Sequence, residues 1–285
     1  MPELKDLLAA GKLIQAPGAS DMLTARLIEQ AGFPAIYMTG FGATATTLGM
    51  PDLGLMTQSE MIDHARRMVR ATSVPVIADA DTGYGGANNL LRTLEDYAQI
   101  GVAAIHLEDQ TLPKRCGQLA GIQLVSAESQ IRALKGAVNA RGKSDMLLIA
   151  RTDALGVHGI EEAVRRANLY AETGVDLVFV DGVRTIAQAE AIARGVPGRK
   201  VLSIMDGNEV QKLTASDIQE MGFDIVFYAL STLFAAARAA KTILDTLKND
   251  GTTIAAASGM ATYDEFMGMV GYDRFHDFEE KFGQA

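Results

Sequence analysis

Eight short stretches of the chain are apolar almost without a break instead of alternating apolar with polar. They are "KLIQAPG" at 12–18, "AIYMTG" at 35–40, "PVIADAD" at 75–81, "AAIHLED" at 103–109, "LLIARTD" at 147–153, "DLVFVDG" at 176–182, "KVLSIMDG" at 200–207 and "DIVFYAL" at 224–230. Continuous runs of this kind mark strands covered on both faces. Most are separated by stretches of helical length. "SDMLTARLIEQAG" opens with Ser20 and Asp21 as cap candidates and closes on Gly32. "GIEEAVRRANLYAETG" and "TIAQAEAIARG" repeat apolar residues at helical spacing. Eight alternations of strand and helix in 285 residues predict an α/β fold, a (β/α)8 TIM-type barrel, with a doubly wound open sheet as the alternative. No Pro- or Ser-rich linker interrupts the pattern. Residues 1–285 therefore read as one barrel domain, with 258–285 as a C-terminal helical tail. The alanine-rich run "LFAAARAAK" predicts a tightly packed helix.

The tail carries Tyr263, Phe266, Met267, Met269, Tyr272, Phe275, Phe278 and Phe282. A solvated tail does not carry so much aromatic surface. Packing on its own barrel and packing on a neighbouring subunit both account for it, and the second is expected.

Composition narrows the function. A net charge of −9 argues against general affinity for nucleic acid or anionic membrane, but not against an anionic substrate. No apolar run approaches the roughly 18 residues of a membrane span, and "MPELKDLLAAGKL" lacks the pattern of a secretory signal. One cysteine fits a reducing cytoplasm.

Candidate chemistry gathers at the C-terminal ends of the strands, where barrels of this kind build their sites. Asp79 and Asp81 end the third run, and His106, Glu108 and Asp109 the fourth. Arg151 and Asp153 end the fifth, Asp181 the sixth and Asp206 the seventh. So many carboxylates repel one another unless a cation sits among them. A hard divalent ion with oxygen ligands answers that need, and Mg²⁺ commonly takes one or two carboxylates plus water and substrate. Asp79 and Asp81, two apart on an extended strand, point the same way and suit a shared ion; salt bridges to Lys or Arg are the alternative. His106 reads equally as ligand, base or structural group. Arg151 can hold a carboxylate in bidentate fashion, or pair internally with Asp153 or Asp181. Glycines 83, 85 and 86 match no phosphate-loop pattern.

These residues resemble the isocitrate lyase / phosphoenolpyruvate mutase superfamily nearly end to end. The resemblance rests on "DADTGYG" (79–85), "HLEDQ" (106–110), "PKRCG" (113–117) and "ARTDA" (150–154), with "YMTGFG" (37–42) and "PDLGL" (51–55) in support. It implies Mg²⁺, with Mn²⁺ as a substitute, near Asp79, Asp81 and Glu108. It implies an α-keto acid site at Tyr37, Thr39, Gly40 and Phe41, with Asp52 as an acidic site residue and Arg151 on the keto acid's carboxylate. Gly117, Gln118 and Asp181 fall at substrate-binding positions.

The segment around Cys116 resembles the gating loop K-K/R-C-G-H of the carbon–carbon lyase branch, which includes the 2,3-dimethylmalate and methylisocitrate lyases. There the cysteine is a general acid. Catalytic roles at Cys116, Lys114, Arg115 and Glu108 follow by the same resemblance. The flanking Lys114 and Arg115 are expected to lower the thiol's pKa, and Gly117 and Gly121 to let the loop close. Family members exchange the eighth helix between paired subunits, which implies a homotetramer.

The chain departs from the lyase pattern at Gln118, where His is usual, and at Asp181, where Glu is commoner. The seventh strand lacks N-x-T-E-F-G-x-T-P, and Phe234 stands where methylisocitrate lyases carry an arginine. The keto-acid half is kept and the far half rebuilt, which argues against isocitrate and methylisocitrate. The expected function is cleavage of a substituted, malate-like 2-hydroxy dicarboxylate to an α-keto acid and a carboxylic acid. The alternatives are oxaloacetate hydrolysis, then decarboxylation or C–P chemistry, then a non-catalytic binding role.

Overall fold

The computed structural model describes residues 3–283. All eight apolar runs are strands: β1 Ile14–Ala19, β2 Ile36–Met38, β3 Val76–Asp79, β4 Ala104–Leu107, β5 Leu147–Thr152, β6 Leu177–Val180, β7 Lys200–Ile204 and β8 Ile225–Tyr228. Each pairs in parallel with the next, and β8 returns to β1, closing the barrel in sequence order. The (β/α)8 barrel is the fold, and the open-sheet alternative falls. Most strands stop short of the polar residues that end their runs, because those residues leave the ladder to form the rim.

The chain divides into two compact units, meeting between Ser231 and Thr232. The first is the barrel, and it has two apolar cores. Ile14, Tyr37, Ile77, Leu147, Ile149, Phe179, Val201 and Phe227 fill the interior, joined by Leu4 and Leu8 from the helix that precedes β1. A larger cluster, including Met38, Ala78, Ile105, Leu148, Ala150 and Val178, packs the outer faces of the strands against the helices. Asp21 is a cap as expected, its side chain accepting from Thr24 N at 2.8 Å to start Met22–Gln30, and Thr185 caps Ile186–Gly195 in the same way. Gly18 lets the seam between β1 and β8 close, since a Cβ there would strike the Ala229 carbonyl.

The second unit holds nearly all of helix Ser231–Asp250, a 3₁₀ turn at Ile254–Gly259, and helices Tyr263–Val270 and Tyr272–Phe282. The alanine-rich run is helical as expected, but no residue of Ser231–Asp250 is buried, so the tight packing is not found. Tyr263, Phe266, Phe275, Phe278 and Phe282 are all exposed. Among the described residues no helix is long and apolar enough to cross a membrane.

Candidate active site

The site follows from the period-two geometry of strands. Residues that face the barrel interior continue upward in steps of two to its C-terminal mouth. Ile77 leads to Asp79 and Asp81, Ala104 to His106 and Glu108, and Ile149 to Arg151 and Asp153. In the same way Phe179 leads to Asp181, Val201 to Ser203 and Met205, and Phe227 to Ala229. Asp109 is out of step with this row. Its carboxylate accepts from Thr152 Oγ1 (2.7 Å), Asp153 N (2.9 Å), Arg166 Nη1 (2.9 Å) and Tyr170 Oη (2.9 Å), the last two from helix Ile160–Ala171. It is a strut between β4, β5 and that helix. Asp206 likewise accepts from Ser231 Oγ at 2.7 Å and Gln211 Nε2 at 3.1 Å.

One cavity of about 40 Å³ at this mouth is lined by ten of the residues expected there: Tyr37, Thr39, Phe41, Asp52, Asp79, Cys116, Gly117, Gln118, Arg151 and Asp181. Phe179, Ser203, Met205, Ala229 and Leu230 complete the lining. These five were missed because apolar and small residues carry no chemical signature; the inward parity of β6, β7 and β8 was the available signal. Gly40 stands against the Asp79 carboxylate, where a Cβ would collide with it. Below, His106 Nε2 lies 3.0 Å from Tyr37 Oη, and Nδ1 lies 3.6 Å from Asp79 Oδ1. Tyr37 stacks on Phe227 at 4.0 Å. Burial drives the His106 pKa down to about 4, so the imidazole is neutral.

Arg151 donates from Nε (3.2 Å) and Nη2 (2.8 Å) to Asp153, and from Nη2 (2.7 Å) to Asp181; Nη1 stands 3.4 Å from Glu108 Oε2. The internal pairing is therefore what the guanidinium makes, and with both Asp153 and Asp181. Three of its five N–H donors are used, which leaves those on Nη1.

The loop of 112–121 lies over the mouth. Lys114 Nζ is 2.7 Å from both Asp52 Oδ1 and Asp81 Oδ1, and Cys116 N donates to the Asp52 carbonyl at 3.1 Å. Burial opposes charge on Lys114, but Asp81, Glu108, Asp79 and Asp52 overrule it and hold the proton firmly. Gly117 lies so close to Asp181, Asp153 and Arg151 that any Cβ would collide. Arg115 does not join the site. It is exposed, and its backbone is tied to the Gln110 side chain at 2.9 and 2.8 Å. Side chains alternate along the loop, so Lys114 and Cys116 face in and Arg115 faces out.

This corrects the expectation for the thiol. Burial pushes the Cys116 pKa up to about 11, with Asp181 and Asp52 adding to the rise. The Gln118 backbone and Arg151 pull the other way and are outweighed, and the flanking Lys114 and Arg115 do not supply the lowering expected of them. Lys114 is spent on two carboxylates, and Arg115 points elsewhere.

The carboxylates at the mouth outnumber the cations. Asp52, Asp79, Asp81, Glu108, Asp153 and Asp181 surround Lys114 and Arg151. Burial lifts Asp81 to about 6 and raises Glu108 well above the usual carboxylate range. Burial also opposes ionisation of Asp79, yet His106, which carries charge in the acid range where Asp79 titrates, and Lys114 and Arg151 hold it at about 2. Glu108 is buried and neither of its oxygens has a hydrogen-bond partner among the described residues. Orphaned buried carboxylate oxygens beside Asp79 and Asp81 fit a hard cation. Among the described residues no three His, Cys, Asp or Glu side chains form a ready metal cage, so water and substrate would complete the shell. The Asp81 and Tyr84 backbones, at φ 47° and 62°, mark a constrained turn beside these oxygens.

The family model for phosphoenolpyruvate phosphomutase matches residues 4–248. The chain belongs to this family. Within the PEP mutase / isocitrate lyase superfamily, a 2,3-dimethylmalate lyase of Eubacterium barkeri is 38% identical over 280 residues, covering 98% of this chain and 97% of that protein. A 2-methylisocitrate lyase of Aeropyrum pernix is 37% identical over 278 residues, covering 98% and 88%. Two solved structures of the superfamily also match. An oxaloacetate acetylhydrolase bound to the inhibitor 3,3-difluorooxalacetate has a TM-score of 0.92 at 34% identity, covering 99% of this chain and 97% of that one. A phosphonopyruvate hydrolase in complex with oxalate and Mg²⁺ has a TM-score of 0.88 at 30% identity, covering 99% and 98%.

Proposed function

We infer that the protein is a carbon–carbon lyase that cleaves a substituted, malate-like 2-hydroxy dicarboxylate to an α-keto acid and a carboxylic acid. The observation that carries this reading is a protonated thiol, Cys116, lining the same cavity as Asp79, Asp181 and Arg151. The similarity to 2,3-dimethylmalate lyase supports the substrate class.

Asp79, Asp81 and Glu108 would hold Mg²⁺ or Mn²⁺, and the Mg²⁺ in the matching phosphonopyruvate hydrolase structure supports that choice. The ion when bound supplies Lewis-acid stabilisation of oxygen charge. Arg151, clamped by Asp153 and Asp181, presents Nη1 to the substrate carboxylate. The backbone of Thr39, Gly40 and Phe41 frames the keto-acid end. A base of the mouth takes the C2 hydroxyl proton, the oxygen's electron pair forms the keto C=O as the C2–C3 bond breaks, and the electrons of that bond pass to C3. Cys116 gives its proton to that carbon. A thiol held at about 11 keeps its proton until a strongly basic carbanion appears beside it. The loop of 112–121 keeps water from that carbanion.

Hydrolysis of oxaloacetate is the second reading, favoured by the oxaloacetate acetylhydrolase match. One experiment separates them. Purified enzyme with Mg²⁺ is given oxaloacetate and a panel of 2-hydroxy diacids, and products are identified by mass. An α-keto acid with a carboxylic acid supports the lyase; oxalate with acetate supports the hydrolase. No product from any member sinks both.

The assembly belongs to the same proposal. A homotetramer of helix-swapped dimers accounts for the helix Ser231–Asp250, which has no buried residue, and for the exposed Phe266, Phe275, Phe278 and Phe282. A monodisperse monomer by light scattering would refute it. A single half-buried free cysteine supports a cytoplasmic location.

A further inference from the structure

Gln110 ends the HLEDQ motif, and nothing in the chemistry above uses it. It is 3% exposed, and both ends of its side-chain amide are spent on one residue. Oε1 accepts from Arg115 N at 2.9 Å, and Nε2 donates to Arg115 O at 2.8 Å. We propose that Gln110 is the clasp of the loop of 112–121: by gripping the Arg115 backbone it holds Lys114 and Cys116 in the mouth, and it is thereby a positioning residue for proton transfer from Cys116. The proposal rests on the lyase reading in taking Cys116 as the proton donor.

Three observations support it. The grip falls between the two side chains that matter. The Arg115 N–H belongs to the peptide shared with Lys114 and its carbonyl to the peptide shared with Cys116, so one amide fixes the planes of both. The clasp is also firmly mounted. Gln110 bridges Leu124 in antiparallel fashion, Thr111 N donates to Gln123 O at 2.8 Å, and Val125 N donates to Asp109 O at 2.9 Å. These bonds close the two ends of the loop into a stem, and Asp109, one residue back, is the buried strut to β5. Finally, packing around the gripped residue is thin. A cavity of about 140 Å³, lined by Thr111, Pro113, Gly121 and Gln123 among others, lies against it, and the Arg115 side chain is exposed. Hydrogen bonds therefore carry more of the restraint there than packing does.

The test separates the loop from the chemistry. Gln110→Ala and Gln110→Met each remove both bonds, and Gln110→Met keeps the length and most of the volume, which guards against collapse of the stem. Gln110→Glu keeps the acceptor for Arg115 N and loses the donor. Each full-length variant is checked by circular dichroism. It is then measured with Mg²⁺ for the rate of alkylation by iodoacetamide at neutral pH, which reads Cys116 alone because the chain has one cysteine. The Kd of oxalate is taken by calorimetry, and kcat and KM on the acid that wild type cleaves. Alkylation should quicken by about 10-fold or more in Gln110→Ala and Gln110→Met, and kcat should fall by about 100-fold. Gln110→Glu should lie between them and wild type. The oxalate Kd should move far less, because Arg151 and the backbone of residues 39–41 hold that end. Arg184→Ala removes a different tie to the same loop, the 3.3 Å bond from an exposed Nη2 to Gln118 O, and should change alkylation by no more than about 3-fold.

Wild-type alkylation and kcat in Gln110→Met overturn the clasp, because the side chain then serves only by filling space. So does an Arg184→Ala variant that loosens the loop as far as Gln110→Ala. An oxalate Kd that rises as far as kcat falls overturns the positioning role, since the whole mouth is then disturbed. Lost kcat with unchanged alkylation removes the clasp and keeps the lyase. Faster alkylation with unchanged kcat keeps the clasp and removes Cys116 from the chemistry, and the lyase reading with it.

Discussion

Glu108 and Asp109 are neighbours in sequence with opposite fates. Asp109 turns outward from β4 and is met by four donors. Glu108 turns inward, and neither of its oxygens has a hydrogen-bond partner among the described residues. Both are buried carboxylates. The first is compensated in full and its carboxylate serves as a joint; the second has no hydrogen bond and only the Arg151 guanidinium at 3.4 Å, and belongs to a site. The difference teaches that burial of charge says nothing about role until its partners are counted. A satisfied carboxylate stabilises the fold, and an unsatisfied one among like charges stores a demand for a ligand.

The largest effect that probes this contrast is removal of divalent metal. Chelation by EDTA should abolish turnover, and Mg²⁺ or Mn²⁺ should restore it, while the circular dichroism of the barrel is unchanged. Full turnover after thorough demetallation would erase the contrast. Next, Asp109→Ala takes the common acceptor from Thr152, Arg166 and Tyr170. Loss of one partner of a buried ion pair costs about 3–5 kcal/mol, and the lower end is expected because Arg166 Nε keeps Glu162 at 2.8 Å. Urea denaturation should show it, and a loss below about 1 kcal/mol would mean the network is idle.

Glu108→Gln should behave in the opposite way. No hydrogen bond is lost, so stability should hold to within about 1 kcal/mol or rise. Activity or metal affinity should fall by about 10–100-fold. A destabilised but active Glu108→Gln would reverse the assignment.

The smallest effect concerns Cys116. A pKa raised to about 11 keeps the thiol protonated below that pH. Alkylation by iodoacetamide should therefore be slow at neutral pH and climb roughly tenfold per pH unit toward about 11. A rate already level by about pH 8.5, where free cysteine titrates, would show that the loop does not bury it.

The barrel was legible because parallel strands buried on both faces read as unbroken apolar runs, and all eight did so. Most of the mouth was legible because its polar residues end those runs. What escaped has physical causes. Asp109 ends its run like a rim residue, but its odd parity relative to His106 and Glu108 turns it outward. The thiol pKa was judged from sequence neighbours, but a loop alternates sides, and Lys114 had carboxylates to serve. Met205, Ala229 and Leu230 are apolar residues whose place in the lining appears only once the barrel is closed. The packing of "LFAAARAAK" was read from composition, which does not say what, if anything, lies opposite a helix.

The seam between β1 and β8 has a consequence for how the molecule is made. Tyr228 Oη reaches Gln15 Oε1 at 3.4 Å across 213 residues of chain. During synthesis β1 emerges early and must keep an open edge while seven more strands are built, because long-range pairing waits on its partner. The strand that seals this edge runs directly into Ala229 and Leu230. Barrel closure and completion of the cavity therefore arrive together, after the other seven strands have been made. A nascent chain halted before residue 225 would have the metal-seeking carboxylates of the mouth yet an open wall beside them, and an unpaired strand edge exposed to any neighbouring chain.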